Sequence, residues 1–410
     1  MEDILRLLNP WWKTGNIKKV LTKDFKRDLF TELAGSIKKK QITTLYGLRR
    51  TGKSTLLFQL IEYLIKKRIS PDRIIYFSFD HKALELKEIF SAYTNLNDKK
   101  IEKGEYYVFL DEIQKLEDWQ NKIKIFYDMY PNIKFFVSGS SNLEITKKAS
   151  ESLAGRIQLL KLEPLSFREW LQINKINIPL NKIKLYEEEL KQNFKLYIKT
   201  PFPEIADLKE EILIRKYLDD FIISRIISYD MKQEFEGVDV SLLETLKEIF
   251  FEEPGYILNV DKLARNLNRG KEILFRHIDY LKQGRLIKLV GNFRKGKLSS
   301  SRKLKRVYPY HPCFCYGIDE GKLIESLFVS LFDAKHYWRE KEKEVDIILK
   351  GIPIEIKYRK SISESDIKNV TYFMEHFNQD KGIIITKELD EKKGKIQFIP
   401  AWKAALLPLD

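Results

Sequence analysis

The stretch that most constrains this chain is Gly47-Leu48-Arg49-Arg50-Thr51-Gly52-Lys53-Ser54, which fits GxxxxGK[ST] at every fixed position. It follows the apolar run Ile42–Tyr46 directly and opens an amphipathic stretch at Thr55–Leu64. Strand, loop, helix is the setting in which this pattern has physical meaning. Gly47 and Gly52 let the backbone curl until its amides and the first helical turn face phosphate oxygens. Lys53 then reaches the β and γ phosphates, the Ser54 hydroxyl is placed to ligate Mg²⁺, and Thr51 and Thr55 complete the cradle. Arg50 contacts either phosphate or a neighbouring subunit.

A second motif lies downstream in the order such chemistry requires. Tyr106–Leu110 is an apolar strand that delivers Asp111 and Glu112 at its carboxyl end, where open α/β sheets bind ligands. Asp111 would hold the Mg²⁺ shell through water, and Glu112 would polarise the attacking water as general base. A further strand runs into Ser138-Gly139-Ser140-Ser141-Asn142. There Ser140 or Asn142 contacts the γ-phosphate or orients that water, or the segment is simply a polar turn. Arg156 supplies positive charge to the phosphoryl transition state, in the same chain or across an oligomer interface, or else anchors the sheet edge. Apolar runs at Ile42–Tyr46, Ile74–Phe79, Tyr106–Leu110, Lys134–Ser138 and Ile157–Leu162 alternate with amphipathic stretches. That alternation predicts an α/β domain with a parallel sheet, and with the phosphate-loop motif Gly47–Ser54 after its first strand the expectation is a P-loop NTPase sheet.

At 410 residues the chain is too long for one small module, and domains of roughly 100–200 residues predict two to four. The pattern divides into an N-terminal helical arm at 1–34, holding Trp11-Trp12, then a nucleotide domain at 35–165 and a helical lid at 166–235. A winged helix at 236–312 and a mixed α/β tail at 313–410 complete the chain. Lys and Arg number 74 against 59 Asp and Glu, a net charge of +15, which predicts a polyanionic partner, duplex or branched DNA above all. Arg265, Asn268, Arg269, Lys271 and Arg276 surround the expected recognition helix, and the basic run Gly291–Arg306, with Arg294, Lys295, Lys297, Arg302, Lys303, Lys305 and Arg306, reads as the wing. A self-assembled oligomer and a protein partner are also compatible with this organisation. The two cysteines, Cys313 and Cys315, offer neither a disulfide framework nor, with His311, a closed four-ligand metal site. Without an apolar segment of membrane-spanning length, the sequence predicts a cytoplasmic protein and no membrane partner.

The tail carries chemistry of its own. Asp346 lies on one expected strand, and Glu355 and Lys357 share a face of the next by alternation, beyond the turn at Lys350-Gly351. With Glu325 on the preceding helix they resemble the PD-(D/E)xK nuclease core, a restriction-endonuclease-like α/β domain. That resemblance implies Glu325, Asp346 and Glu355 as Mg²⁺ ligands and Lys357 as the group that positions water or neutralises developing charge. Glu340 and Glu344 read as surface charges.

Gly47–Ser54, Asp111-Glu112, Ser138–Asn142, Leu153–Arg156 and Leu162-Glu163-Pro164-Leu165-Ser166-Phe167 together resemble the archaeal and bacterial AAA-type ATPases with an uncharacterised C-terminal half. Pro201-Phe202-Pro203-Glu204, followed by Lys216-Tyr217-Leu218, is similar to that family's Gly-Phe-Pro-Glu lid segment, with Thr200-Pro201 in place of the glycine pair. The resemblance implies ATP as the nucleotide and hydrolysis as the reaction. Two functions are compatible with it: an ATPase acting on DNA with a Mg²⁺-dependent nuclease tail, or a signalling-type switch whose silent tail binds proteins.

Overall fold

The computed structural model describes residues 1–80, 85–99, 101–139, 153–294 and 305–407. The chain forms two compact units, Met1–Leu165 and Ser166–Asp410.

The first unit is built on five parallel strands, β1 (Ile42–Tyr46), β2 (Ile74–Ser78), β3 (Tyr106–Asp111), β4 (Ile133–Gly139) and β5 (Ile157–Lys161), in the order β2-β3-β4-β1-β5. β1 to β4 are buried throughout, which explains why they read as continuous apolar runs instead of alternating ones. Helix Lys53–Lys66 buries Leu56, Leu57, Leu60, Ile61 and Leu64, an apolar stripe at helical spacing. It packs with Leu45, Phe109 and Phe136, and each such leucine stabilises the layer by about 1.5–3 kcal/mol. The other face is covered by helices Leu86–Asn97 and Trp119–Met129.

The arm at 1–34 seals the open edge of β2. The Asn9 side chain donates to the Tyr76 carbonyl at 2.9 Å and accepts from the Tyr76 N–H at 2.7 Å, imitating a neighbouring strand. The indole N–H groups of Trp11 and Trp12 both donate to the Ile74 carbonyl, at 3.1 and 2.8 Å. Backbone groups that would otherwise template edge pairing are thereby used up.

The second unit opens with a capping box in which Ser166 and Glu169 cap helix Phe167–Ile173 reciprocally. Helix Glu187–Lys199 follows. After it comes a continuous helical stretch that is α-helical over Glu211–Leu218, widens into i→i+5 turns at Asp219–Ile223 and Ile226–Asp230, and closes α-helical over Met231–Glu234. Helices Val240–Glu252, Val260–Leu267 and Lys271–Gln283 come next, the first two capped by Asp239 and Asn259 side chains.

Nine strands then make one sheet: β6 (Tyr256–Ile257), β7 (Ile287–Asn292), β8 (Arg306–Pro309), β9 (His336–Glu340), β10 (Lys343–Leu349), β11 (Ile352–Lys357), β12 (Gly382–Thr386), β13 (Glu391–Lys393) and β14 (Ile396–Pro400). Their order is β13-β14-β12-β11-β10-β9-β7-β8-β6. Parallel pairing of β7 with β9 joins the segment read as a winged helix to the tail, so strands from both sides of the expected boundary at 312/313, itself in the short helical turn Pro312–Phe314, belong to one sheet. Of the basic run expected as a wing, Gly291 belongs to β7 and Arg306 begins β8. Lys295, Lys297, Arg302 and Lys303 lie outside the described residues. No helix among the described residues is long and apolar enough to cross a membrane.

Candidate functional site

The loop between β1 and helix Lys53–Lys66 brings Gly47, Arg50, Thr51, Gly52, Lys53, Ser54 and Thr55 to the carboxyl end of the first sheet. A Cβ on Gly47 would collide with the Leu162 carbonyl, and Gly52 adopts φ +96°, so both positions require glycine. Arg50 also has a positive φ, 63°, and its side chain is exposed. Thr51 is buried, its hydroxyl donating to the Leu48 carbonyl at 2.9 Å. The Lys53 ammonium is buried and rests on the Gly47 and Leu48 carbonyls at 3.0 and 2.9 Å.

Asp111, the last residue of β3, is held from two neighbouring strands. Tyr76 on β2 donates to its Oδ2 at 2.9 Å, and Ser138 on β4 donates to its Oδ1. Glu112 sits at φ 52° and accepts from Gln114. Burial pushes the Glu112 carboxyl above its usual range, Lys53 pulls it back in part, and Asp111 pushes it further up. A base raised in this way and close to a cationic lysine suits proton abstraction from water. The residue types fit a magnesium nucleotide: the buried Lys53 cation at the start of helix Lys53–Lys66 for phosphate, the Ser54 hydroxyl and the oriented Asp111 carboxylate for the metal shell.

The structure does not bring Arg156 to this site within one chain. It immediately precedes β5, whose Ile157 pairs with Ile42 at the start of β1, while the phosphate loop follows Tyr46, which pairs with Lys161. That offset is about 16 Å along the strand. Its guanidinium instead pairs with Asp128 at 3.1 Å. Ser140 and Asn142 lie outside the described residues. Sequence reasoning missed Tyr76, Gln114 and Arg27, none of which carries a motif. Arg27 is buried and donates to the Thr51 carbonyl at 2.8 Å and to those of Glu163 and Pro164 at 2.8 and 3.2 Å, tying the arm to the phosphate loop.

In the second unit Glu325, Asp346, Glu355 and Lys357 do gather, but around a partner that the sequence reading placed elsewhere. Tyr308 donates to Glu325 Oε1 at 2.6 Å and Lys322 to its Oε2 at 2.9 Å. The Ile356 N–H donates to Asp346 Oδ2 at 2.9 Å, and Glu355 pairs with Lys357. Arg306 lies 3.6 Å from Glu325 and 4.0 Å from Asp346, and also pairs with Glu344. Two expectations are therefore corrected. Arg306 is a buried strand residue and not a solvated wing cation, and Glu344 belongs to the charge network instead of the surface. Burial, then Glu355 and Glu325, hold the Asp346 carboxyl well above its usual range; burial raises Glu355 as well, against the pull of Lys357. Lys357 is raised, because Glu355 and Asp346 outweigh its burial.

Arg265, Asn268, Arg269 and Lys271 line one shallow recess between helices Val260–Leu267 and Lys271–Gln283. Lys271 pairs there with Asp261, and Arg269 with Asp239 at 3.4 Å. The last of these helices exposes Phe275 at 57%. His311, Cys313 and Cys315 are buried, and burial followed by Lys288 lowers His311 to about 3, which keeps it neutral.

Residues 39–171 match the family model described as an AAA domain, and residues 320–404 match a domain of unknown function, DUF4143. The parallel sheet and phosphate loop of the first unit thus lie in the segment that is similar to an AAA domain. The chain is 27% identical over 410 residues to the uncharacterized protein MJ1544 of Methanocaldococcus jannaschii, covering 89% of this chain and 88% of that protein. It is 28% identical over 418 residues to MJ1637 of the same organism, covering 90% and 85%. Among solved structures it is similar to the Aeropyrum pernix ORC1 protein in complex with DNA, with TM-score 0.36 and 14% identity over 71% of this chain and 92% of that one. A second similarity is to C. elegans PCH-2, with TM-score 0.27 and 14% identity over 56% and 64% of the two chains.

Proposed function

We propose that this chain is a cytoplasmic ATPase that hydrolyses ATP with Mg²⁺ in its first unit and uses the cycle to act on duplex or branched DNA through its second. The observation that carries the reading is the convergence of Lys53, Asp111 and Glu112 at the carboxyl end of one parallel sheet. Bound Mg²⁺ would neutralise charge on the β and γ phosphates, with Ser54 and Asp111 holding its shell. Lys53 exchanges its two loop carbonyls for phosphate oxygens. Glu112, released from Gln114, takes the proton of the attacking water. Arg156 contributes charge only from a neighbouring copy of the chain.

DNA contact rests on reading residues 236–312 as a winged helix, for which the helix order, the β6-β8-β7 sheet and the basic recess are the support. Phosphate contacts of this kind give binding that weakens steeply with salt. The test compares ATP hydrolysis by wild type and Glu112→Gln, each with and without branched duplex DNA at two salt concentrations. Stimulation that fades with salt and vanishes in the variant is expected; a slow rate indifferent to DNA would remove the DNA half of the proposal.

A second reading, a nucleotide-dependent switch whose tail binds proteins, is favoured by exposed Phe275 on the expected recognition helix, an apolar group suited to a protein partner. Under it, ATP changes partner affinity while DNA binding stays weak. A Mg²⁺-dependent nuclease would need Glu325, Asp346 and Glu355 free to take the metal, and in the second unit these acids are engaged with Arg306, Lys322, Lys357 and backbone N–H groups.

A further inference from the structure

The acid cluster of the second unit has the residue types of a divalent-metal site and the arrangement of a closed ion-pair network. We propose that Arg306 is its resident cation, occupying the place that the nuclease resemblance would give to Mg²⁺, so that the tail is a metal-free module. The inference goes beyond the nucleotide reading and does not depend on it.

Three observations carry it. The first is position. Arg306 opens β8, and its side chain is 8% exposed, far too enclosed for a phosphate contact. Its guanidinium stacks on the Tyr337 ring at 4.7 Å and reaches Glu325 from one helix and Glu344 and Asp346 from β10. It thus lies where carboxylates from separate elements converge. The planar, permanently charged fork suits several carboxylates at once.

The second is occupancy of the ligand atoms. Of the six oxygens on Glu325, Asp346 and Glu355, five already accept hydrogen bonds, from Tyr308, Lys322, the Ile356 and Asp346 N–H groups, and Lys357. The sixth, Asp346 Oδ1, faces Arg306 at 4.0 Å. Mg²⁺ demands near-octahedral oxygen ligands at about 2.0–2.1 Å, which this set supplies only if several of those bonds break. No group of three His, Cys, Asp or Glu among the described residues is placed to hold a metal ion.

The third is charge. Glu325, Glu344, Asp346 and Glu355 each lie against at least one of the cations Arg306, Lys322, Arg339 and Lys357, so every carboxyl of the cluster already has a positive neighbour. A divalent ion added here would meet a fixed guanidinium instead of an unbalanced cluster of carboxylates.

The experiment uses the full chain without nucleotide and Mn²⁺ as the probe, counting bound ions by electron paramagnetic resonance. Wild type and Asp346→Asn should bind Mn²⁺ alike, because any ion held near Ser54 and Asp111 is common to both. Arg306→Gln should gain one ion with affinity at least about tenfold above background, since a fixed positive charge has left, and adding Asp346→Asn should abolish the gain. An ion in wild type that Asp346→Asn releases would overturn the proposal. A folded Arg306→Gln that gains nothing would overturn it too. If Arg306→Gln does not fold, the wild type and Asp346→Asn pair decides alone.

Discussion

Two buried charge clusters, one in each unit, are built from the same residue types and reach opposite ends. In the first unit Lys53 and Glu112 rest on substitutes, a pair of loop carbonyls and the Gln114 amide. Such bonds are readily exchanged for stronger, charge-assisted ones to phosphate and water. In the second unit the acids and cations satisfy one another, and a ligand would have to compete with every pair at once. Acids and lysines alone therefore do not make a site. What separates the two clusters is whether their partners are weak and interchangeable or charged and mutual.

The largest expected effect lies in the first cluster. Glu112→Gln keeps shape and loses the base, so steady-state ATP hydrolysis should fall by about 10²–10⁴-fold while nucleotide binding persists. Measured together, rate and nucleotide affinity separate this outcome from a binding defect. A drop in both would mean that Glu112 holds the loop instead of the water, and the contrast between the clusters would collapse.

The second cluster is broken through its cation. Removing Arg306 takes away the cation that Glu325 and Asp346 share, leaving Lys322 on Glu325 and the Ile356 N–H on Asp346, and Arg306→Gln should lower unfolding stability by about 3–5 kcal/mol near neutral pH. Denaturant midpoints measure it. Adding Glu325→Gln should return part of the loss, because the repulsion between Glu325 and Asp346 is then gone.

These two variants also mark what the sequence made legible. Gly47–Ser54 and Asp111-Glu112 announce themselves because phosphate chemistry fixes both residue type and spacing, and buried parallel strands write their apolar runs plainly. Strand alternation puts Glu355 and Lys357 on one face, the resemblance to a nuclease core adds Asp346 from the neighbouring strand and Glu325 from a helix, and the four do meet. Arg306 was hidden by its company: it ends a run of basic residues, and charge in a run reads as solvated. The available signal was its place two residues before Tyr308, on the same face of an otherwise apolar strand. Arg27 and Tyr76 act through contacts distant in sequence, which no local pattern encodes.

A third prediction sets two buried cations against each other. Burial works against the charge of Arg306, yet Tyr308, Glu344 and Glu325 keep it protonated. Lys134, on β4, has no such acid beside it among the described residues. It donates to the Gln41 carbonyl and to Thr43 Oγ1 at 2.9 Å, and burial, followed by Lys39, pushes it down to about 7. An unfolded lysine stays protonated to about pH 10.4. Between pH 7 and 10 the unfolded state therefore binds the extra proton, and stability rises with pH; below 7 both states are protonated and this contribution is flat. The slope is at most about 1.4 kcal/mol per pH unit. Urea midpoints at pH 7, 8 and 9 should climb in wild type and lose that component in Lys134→Met.

The smallest expected effect belongs to a charge in neither cluster. Arg156 and Asp128 form an exposed pair, with side chains 36% and 46% exposed, and water screens such pairs heavily. Arg156→Ala should cost less than about 1 kcal/mol of stability. Its effect on ATP hydrolysis should depend on protein concentration. Since the strand register sets Arg156 at the far end of β1 from the phosphate loop of its own chain, a rate loss that appears only where the chain self-associates would place its charge in a neighbour's site. A loss that persists at high dilution would require the register to be abandoned, and with it the account of how β1 and β5 position the phosphate loop.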